Sequence, residues 1–325
     1  MILKGKELEK VIFGAIGFEE ADGAVHPIRL TEAQKAAVVA NDPNHMLRCD
    51  WASGIWIEFE TDSKDMRLEF CVGDEGMLPF EVYENGLMTG EYRFNHNDGS
   101  RFAVEHTFHF DGKKRVQIWF TVRARVDVIS LECENIVPVT KCKNVAFIGD
   151  SITQGWTSEH ASCAYTAILT RALGEVNAVN YGIGGYIHDP AFTKAPLAVM
   201  PDLVFVAFGT NDYGKWGGDA EKYKTALVGF YDNLTAQTGD TPIFAFTPIW
   251  RDDRTEEENY RWRGVQKSVL SQYPSVTVLD GELLVPHVKS FYQDLRLHPN
   301  DKGMMAYAEN ILGIAGEKIC AALNK

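Results

Sequence analysis

The chain has 325 residues, 45% of them hydrophobic and 24% charged, the balance of a globule that buries a core, and its length suits two medium domains better than one. Lys and Arg total 32 against 45 Asp and Glu, and the formal charge of −13 repels phosphate backbones and anionic bilayers, which argues against nucleic acid or membrane as partner. Six cysteines (Cys49, Cys71, Cys133, Cys142, Cys163, Cys320) lie scattered without a C-x-x-C pair, so free buried thiols are expected rather than disulfides or a structural zinc.

Met1 to Phe13 alternates charged with isolated apolar residues and reads as neither signal peptide nor membrane span, so a cytoplasmic location is expected. From about Gly23 to Glu134 the period is two: Ile55, Ile57 and Phe59 share one face, Trp56, Glu58 and Glu60 the other. One helix is expected at TEAQKAAVVA. Asn85-Gly86 and Asp111-Gly112 tolerate positive φ and signal two hairpins. With VDVISLECE after them there are about seven short strands, which predicts an all-β sandwich over residues 1–137. His106 and His109 fall on opposite faces of one strand and are not expected to share a metal.

Around residues 135–141 the pattern changes, and the second domain is placed at 142–325. VAFIGD, VNAVNYG, LVFVAFG, PIFAFTPIW and VTVLDG are apolar throughout, as strands covered on both faces are. Between them lie helical stretches such as AEKYKTALVGFYDNLTAQ. The last stretch repeats Met304, Ala308, Ile311, Ala315 and Ile319 at helical spacing. The fold class is therefore α/β with a parallel sheet, preceded by the sandwich.

Ligands of such sheets bind beyond the carboxyl ends of the strands. There the sequence places Gly149-Asp150-Ser151-Ile-Thr-Gln-Gly155, Asn180-Tyr-Gly-Ile-Gly184-Gly185, Gly209-Thr-Asn211-Asp212 and, before the last helix, Asp294-Leu-Arg-Leu-His298-Pro299-Asn300. Acyl transfer needs a hydroxyl nucleophile, a base and donors for the oxyanion. Ser151, His298, a glycine N–H of the second block and the Asn211 amide supply these types, with Asp294 to orient the imidazole. Taken singly each residue has a plainer role. Ser151 can cap a helix, Asn211 and Asp212 can shape a turn, Asp150 can hold its loop, and Asn300 can cap the last helix with Gly303 in its first turn. Tyr213, Trp216, Trp250 and Arg251 follow the third and fourth strands and are candidates to line a substrate pocket. His160, His188 and His287 are given no chemical role. Gly182-Ile-Gly184 fails as a dinucleotide loop, because Ile187 stands where the third glycine belongs.

The four blocks, in this order from about Val145 to the C-terminus, resemble those of the SGNH, or GDSL, hydrolases. The resemblance implies a flavodoxin-like three-layer fold, Ser151 as nucleophile, His298 as base, and Ser151 N–H, Gly185 N–H and the Asn211 side chain as oxyanion donors, with Gly184 the adjacent alternative. It implies no metal and no cofactor. The family usually sets its acid three residues before the histidine. That position is Leu295 here, with Asp294 one residue further back. Either a local bulge brings Asp294 to the ring, or a Ser–His dyad leans on a backbone carbonyl, with Asp280 and Asp301 as further substitutes. A sandwich ahead of such a domain is similar to two-domain carbohydrate esterases with an N-terminal jelly roll. The expectation is a serine esterase acting on a small O-acyl group, acetyl foremost, of a small-molecule or oligosaccharide ester. The alternatives are a thioesterase, lipase or acyltransferase on the same site, and a non-catalytic carbohydrate-binding protein. Homo-oligomerisation is left open.

Overall fold

The computed structural model describes residues 1–73, 78–94 and 98–324. Its first part carries β1 (Ile2–Leu3), β2 (Ile12–Phe13), β3 (Gly17–Ala21), β4 (Ala24–Ile28), α1 (Glu32–Asn41), α2 (Met46–Cys49), β5 (Trp56–Thr61), β6 (Asp65–Gly73), β7 (Leu78–Glu84), β8 (Leu87–Phe94), β9 (Asp98–Thr107), β10 (Lys114–Trp119), β11 (Arg125–Cys133) and β12 (Val137–Pro138). These pair into two antiparallel sheets, β3-β4-β11-β6-β9 with β1 beside β11, and β12-β5-β10-β7-β8 with β2 beside β5. Ile57, Phe59, Phe70, Phe80, Val116 and Val128 pack between them. From Gly23 to Glu134 the described residues form eight strands, β4 to β11, against about seven expected; β1, β2, β3 and β12 lie outside that span. Helix α1 starts where the sequence places it, because Thr31 and Gln34 close a capping box, each side chain accepting from the other's backbone N–H.

Of the two expected hairpins one forms. Asn85 (φ 50°) and Gly86 (φ 84°) join β7 to β8 through the doubly positive φ of a type I′ turn. Asp111-Gly112 instead carries the chain from β9, which pairs with β6, across the sandwich to β10, which pairs with β5 and β7. The expected separation of His106 from His109 also fails. β9 ends at Thr107 and the chain turns, bringing the two rings to 5.9 Å between centroids. All six cysteines are free, as expected, but only Cys49 and Cys133 are buried, and Cys142 and Cys320 are exposed.

The second part runs β13 (Lys143–Gly149), α3 (Ser151–Gln154), α4 (Tyr165–Leu173), β14 (Val176–Asn180), α5 (Pro190–Lys194), β15 (Leu203–Ala207), α6 (Asp212–Lys215), α7 (Ala220–Thr238), β16 (Ile243–Phe246), α8 (Glu256–Leu270), β17 (Val276–Leu279) and α9 (Asp301–Leu323). The five strands are parallel in the order β14-β13-β15-β16-β17, the doubly wound order in which β13 and β15 flank the switch point. Phe147, Phe205 and Phe244 face α4 and α9 on one side, while Ile148, Val204 and Ala245 face α7 and α8 on the other. Among the described residues no helix is long and apolar enough to cross a membrane.

The two parts share their cores. Trp56 and Trp119, on the outer face of the β5–β10 pair, stack at 5.1 Å and join the cluster of Val145, Phe147 and Tyr165. Glu58, fully buried beside them, pairs with Arg115 and Lys141. The face that period two marks as polar is therefore the contact between the parts. The segment from β4 to β5 also crosses over, since Leu30, Val38 and Cys49 pack with Ile148, Val179 and Tyr181.

Candidate active site

β13 ends at Gly149, where a Cβ would lie 2.0 Å from Thr153 Oγ1 and 2.7 Å from the Ala207 carbonyl, so only glycine lets the chain turn so tightly into α3. Asp150 caps that helix by accepting from Ile152 N–H at 2.9 Å. Ser151 thus sits at the first helical position and is not itself the cap. Burial pushes the Asp150 carboxyl up to about 7.

Ser151 Oγ lies 2.9 Å from His298 Nε2. His298 Nδ1 lies 2.9 Å from Asp294 Oδ2. The extra residue before the histidine is absorbed by Leu295, whose φ of 61° curls the chain so that Asp294 Oδ1 accepts from the N–H groups of Arg296 (3.1 Å), Leu297 (2.8 Å) and His298 (3.0 Å). Partial burial by itself would raise this carboxyl, but these N–H groups and the imidazole hold it well below the usual carboxylate range. Of the two arrangements left open by the sequence, the structure has the bulge that brings Asp294 to the ring. Asp280 is engaged elsewhere, with Thr247 and Lys267, and Asp301 accepts from the backbone of Glu159 and pairs with His160.

The second loop distinguishes its two glycines. Gly184 N–H is committed to Gln154 Oε1 at 2.7 Å, whereas Gly185 N–H donates to no protein group among the described residues and Gly185 is exposed. Ser151 N–H is likewise uncommitted. Asn211 gives one amide hydrogen to the Tyr186 carbonyl at 2.9 Å, leaving the other available. Asp212, fully buried behind it, accepts from the backbone N–H of His188 at 3.1 Å, so the third loop grips the second at two points.

Several residues that position this site carry no sequence motif. Arg29, 1% exposed, donates to the carbonyls of Trp51 (2.6 Å) and Arg48 (2.8 Å) and to that of Asn180 at the end of β14. Arg48 donates to the Gly184 carbonyl and lies over the Trp156 ring at 4.8 Å. His45 stands against Gly185, where a Cβ would come within 2.9 Å of its Nε2. The four pocket candidates are otherwise occupied. Trp250 stacks on His287, Arg251 donates to the Thr210 carbonyl and pairs with Asp253, and Tyr213 donates to Glu258 beneath Arg254. Trp216 is half-buried against the α7–α8 side of the sheet. None of the four touches Ser151 or His298 through a hydrogen bond or ring contact among the described residues.

Comparison with known proteins meets this geometry from outside. A curated acetylxylan esterase of Xylanibacter ruminicola is 29% identical over 204 residues, 51% of this chain and 42% of the relative, so the chain spans less than half of that protein. Among solved structures, a family two carbohydrate esterase from Clostridium thermocellum, in complex with cellohexaose, superposes with a TM-score of 0.71 at 17% identity, over 98% of this chain and 99% of that one. The salicylyl-acyltransferase SsfX3 of a tetracycline biosynthetic pathway does so with 0.77 at 18% identity, over 96% and 94%. These likenesses concern the fold, including the sandwich ahead of the parallel sheet. The family model for GDSL-like lipases/acylhydrolases matches residues 147–306, from the end of β13 into α9, and that stretch of the chain belongs to the family.

Proposed function

We propose that this chain is a serine carboxylic ester hydrolase that removes small acyl groups, acetyl foremost, from carbohydrate hydroxyls. The observation that carries the reading is the unbroken relay from Ser151 Oγ through His298 to Asp294, with both links at 2.9 Å. His298 Nε2 takes the Ser151 proton as Oγ attacks the ester carbonyl. The resulting oxyanion accepts from Ser151 N–H, Gly185 N–H and the free Asn211 amide hydrogen. Asp294, ionised throughout, steadies the imidazolium. His298 then gives the proton to the departing alcohol, and an acyl-serine remains. Water, deprotonated by the same ring, attacks that ester and returns Ser151. The choice of an acetylated carbohydrate is supported by the activity named for the curated relative and by the fold shared with a carbohydrate esterase.

The test is turnover of nitrophenyl esters of increasing chain length and of acetylated xylo- and cello-oligosaccharides, by wild type and Ser151→Ala. A preference for acetyl and a fall of at least about 10⁴-fold in the variant are expected. Near-wild-type turnover in Ser151→Ala ends the serine mechanism. A preference for long chains ends the deacetylase assignment alone.

A further inference from the structure

Where β7 of one sheet meets the edge strand β9 of the other, the rings of His106 and His109 converge on Glu84. Glu84 is fully buried. Its Oε1 lies 3.2 Å from His106 Nε2 and 3.4 Å from His109 Nδ1, and its carboxylate also accepts from the backbone N–H groups of His109 and Phe110 at 3.0 Å. Among the described residues no Lys or Arg pairs with it. The side chains that face this buried carboxyl as potential cations are therefore the two imidazoles.

Tyr92 orients the His106 ring. Its hydroxyl has one proton, which it can donate to the Glu105 carbonyl at 3.2 Å, and its oxygen then accepts from His106 Nδ1–H at 2.8 Å. In that tautomer the Nε2 lone pair faces the Glu84 carboxylate and is open to a cation; in the other, Nε2–H donates to the carboxylate at 3.2 Å, and a metal ion takes the place of that proton. Gly90 makes room for the ring, since a Cβ there would lie 2.9 Å from Nδ1.

We infer that Glu84 Oε1, His106 Nε2 and His109 Nδ1 form a binding site for a borderline divalent transition-metal ion, Zn²⁺ foremost, that clips the two sheets of the sandwich together. The three ligand atoms lie within 4.8 Å of one another. Bonds of about 2.1 Å in tetrahedral geometry set ligand atoms roughly 3.4 Å apart, so the two edges, 3.2 and 3.4 Å, need little adjustment. Two imidazoles select against Mg²⁺ and Ca²⁺, which take oxygen ligands. The His109 side chain is 62% exposed, so ions enter from solvent and water completes the shell. The Tyr92 contact is the outer hydrogen bond that fixes a ligating imidazole. No step of acyl transfer passes through this site.

The experiment strips the full chain with chelator and titrates Zn²⁺ against a competing chromophoric chelator, following the thermal midpoint in parallel. Wild type takes up one equivalent and its midpoint rises. His109→Ala, at an exposed position that the fold does not need, binds at least about 10-fold more weakly, and Tyr92→Phe loses about 10- to 100-fold. His160→Ala, in the separate cluster of His160, Cys163 and Asp301, binds as wild type does. Absence of stoichiometric uptake by wild type, undiminished uptake by His109→Ala, or loss of uptake in His160→Ala each overturns the site.

Discussion

Leu295 shows how one residue decides the geometry of the proposed relay. A non-glycine residue at φ 61° costs about 1–2 kcal/mol, and here three N–H groups gathered onto one oxygen of Asp294 offset it. Asp150 poses the opposite electrostatic case, a carboxyl beside Ser151 pushed up to about 7 by burial. In the unfolded chain it would titrate near ~3.9. Between those values the native state keeps the proton that the unfolded state has released, so this group makes stability fall as pH rises from about 4 to about 7, and adds no slope above. Asp150→Asn retains an oxygen to cap Ile152 and removes the titration. Urea unfolding across that range should therefore show the variant gaining on wild type as pH rises, by up to about 4 kcal/mol. Parallel curves for the two proteins would mean that Asp150 is not held protonated.

The loop after β14 is positioned less by its own sequence than by what grips it. Gln154 fixes the Gly184 N–H from α3, Arg48 holds the Gly184 carbonyl from α2, and Asn211 and Asp212 hold the Tyr186 carbonyl and the His188 N–H from α6. Gln154→Ala frees a buried N–H and one side of this clamp. We expect kcat to fall about 10- to 100-fold with KM little changed, because the donors act on charge that develops in the transition state. Complete labelling of Ser151 by a fluorophosphonate would show that the nucleophile survives, and an unchanged kcat would remove Gln154 from the positioning of Gly185. This element also marks the limit of what the sequence discloses. The blocks around Ser151 and Asn211 are legible because the strand ends announce themselves as apolar runs closed by glycine and asparagine, and the block around His298 because it stands just before the periodic last helix. The partners from residues 29–51 were not, since Arg29 binds carbonyls, which any residue supplies, and so leaves no spacing to read. The crossing at Asp111-Gly112 was misread for a related reason. A turn dipeptide fixes local φ but not which sheet the next strand joins.

At the scale of the whole molecule, the alternation along β5 separates two interiors, not core from solvent. Ile57 and Phe59 enter the sandwich, while Trp56 enters a cluster completed by Val145, Phe147 and Tyr165 of the second part. Glu58 is neutralised there by Arg115 and Lys141, and Arg115 also reaches Glu175 beyond β12. Arg29 adds a buried tie from the first part to the end of β14. A stretch cut at residue 142 would lose the stacked tryptophans and Arg29 together, exposing apolar surface and leaving carbonyls without donors. The two parts should therefore melt as one cooperative unit, giving a single calorimetric endotherm that Trp56→Ala shifts downward as a whole. A core aromatic truncated to alanine costs about 3–5 kcal/mol, enough to move the transition visibly. Two resolved endotherms, with only the sandwich's displaced by the substitution, would show instead that the parallel-sheet domain stands alone and that the shared cluster contributes little to it.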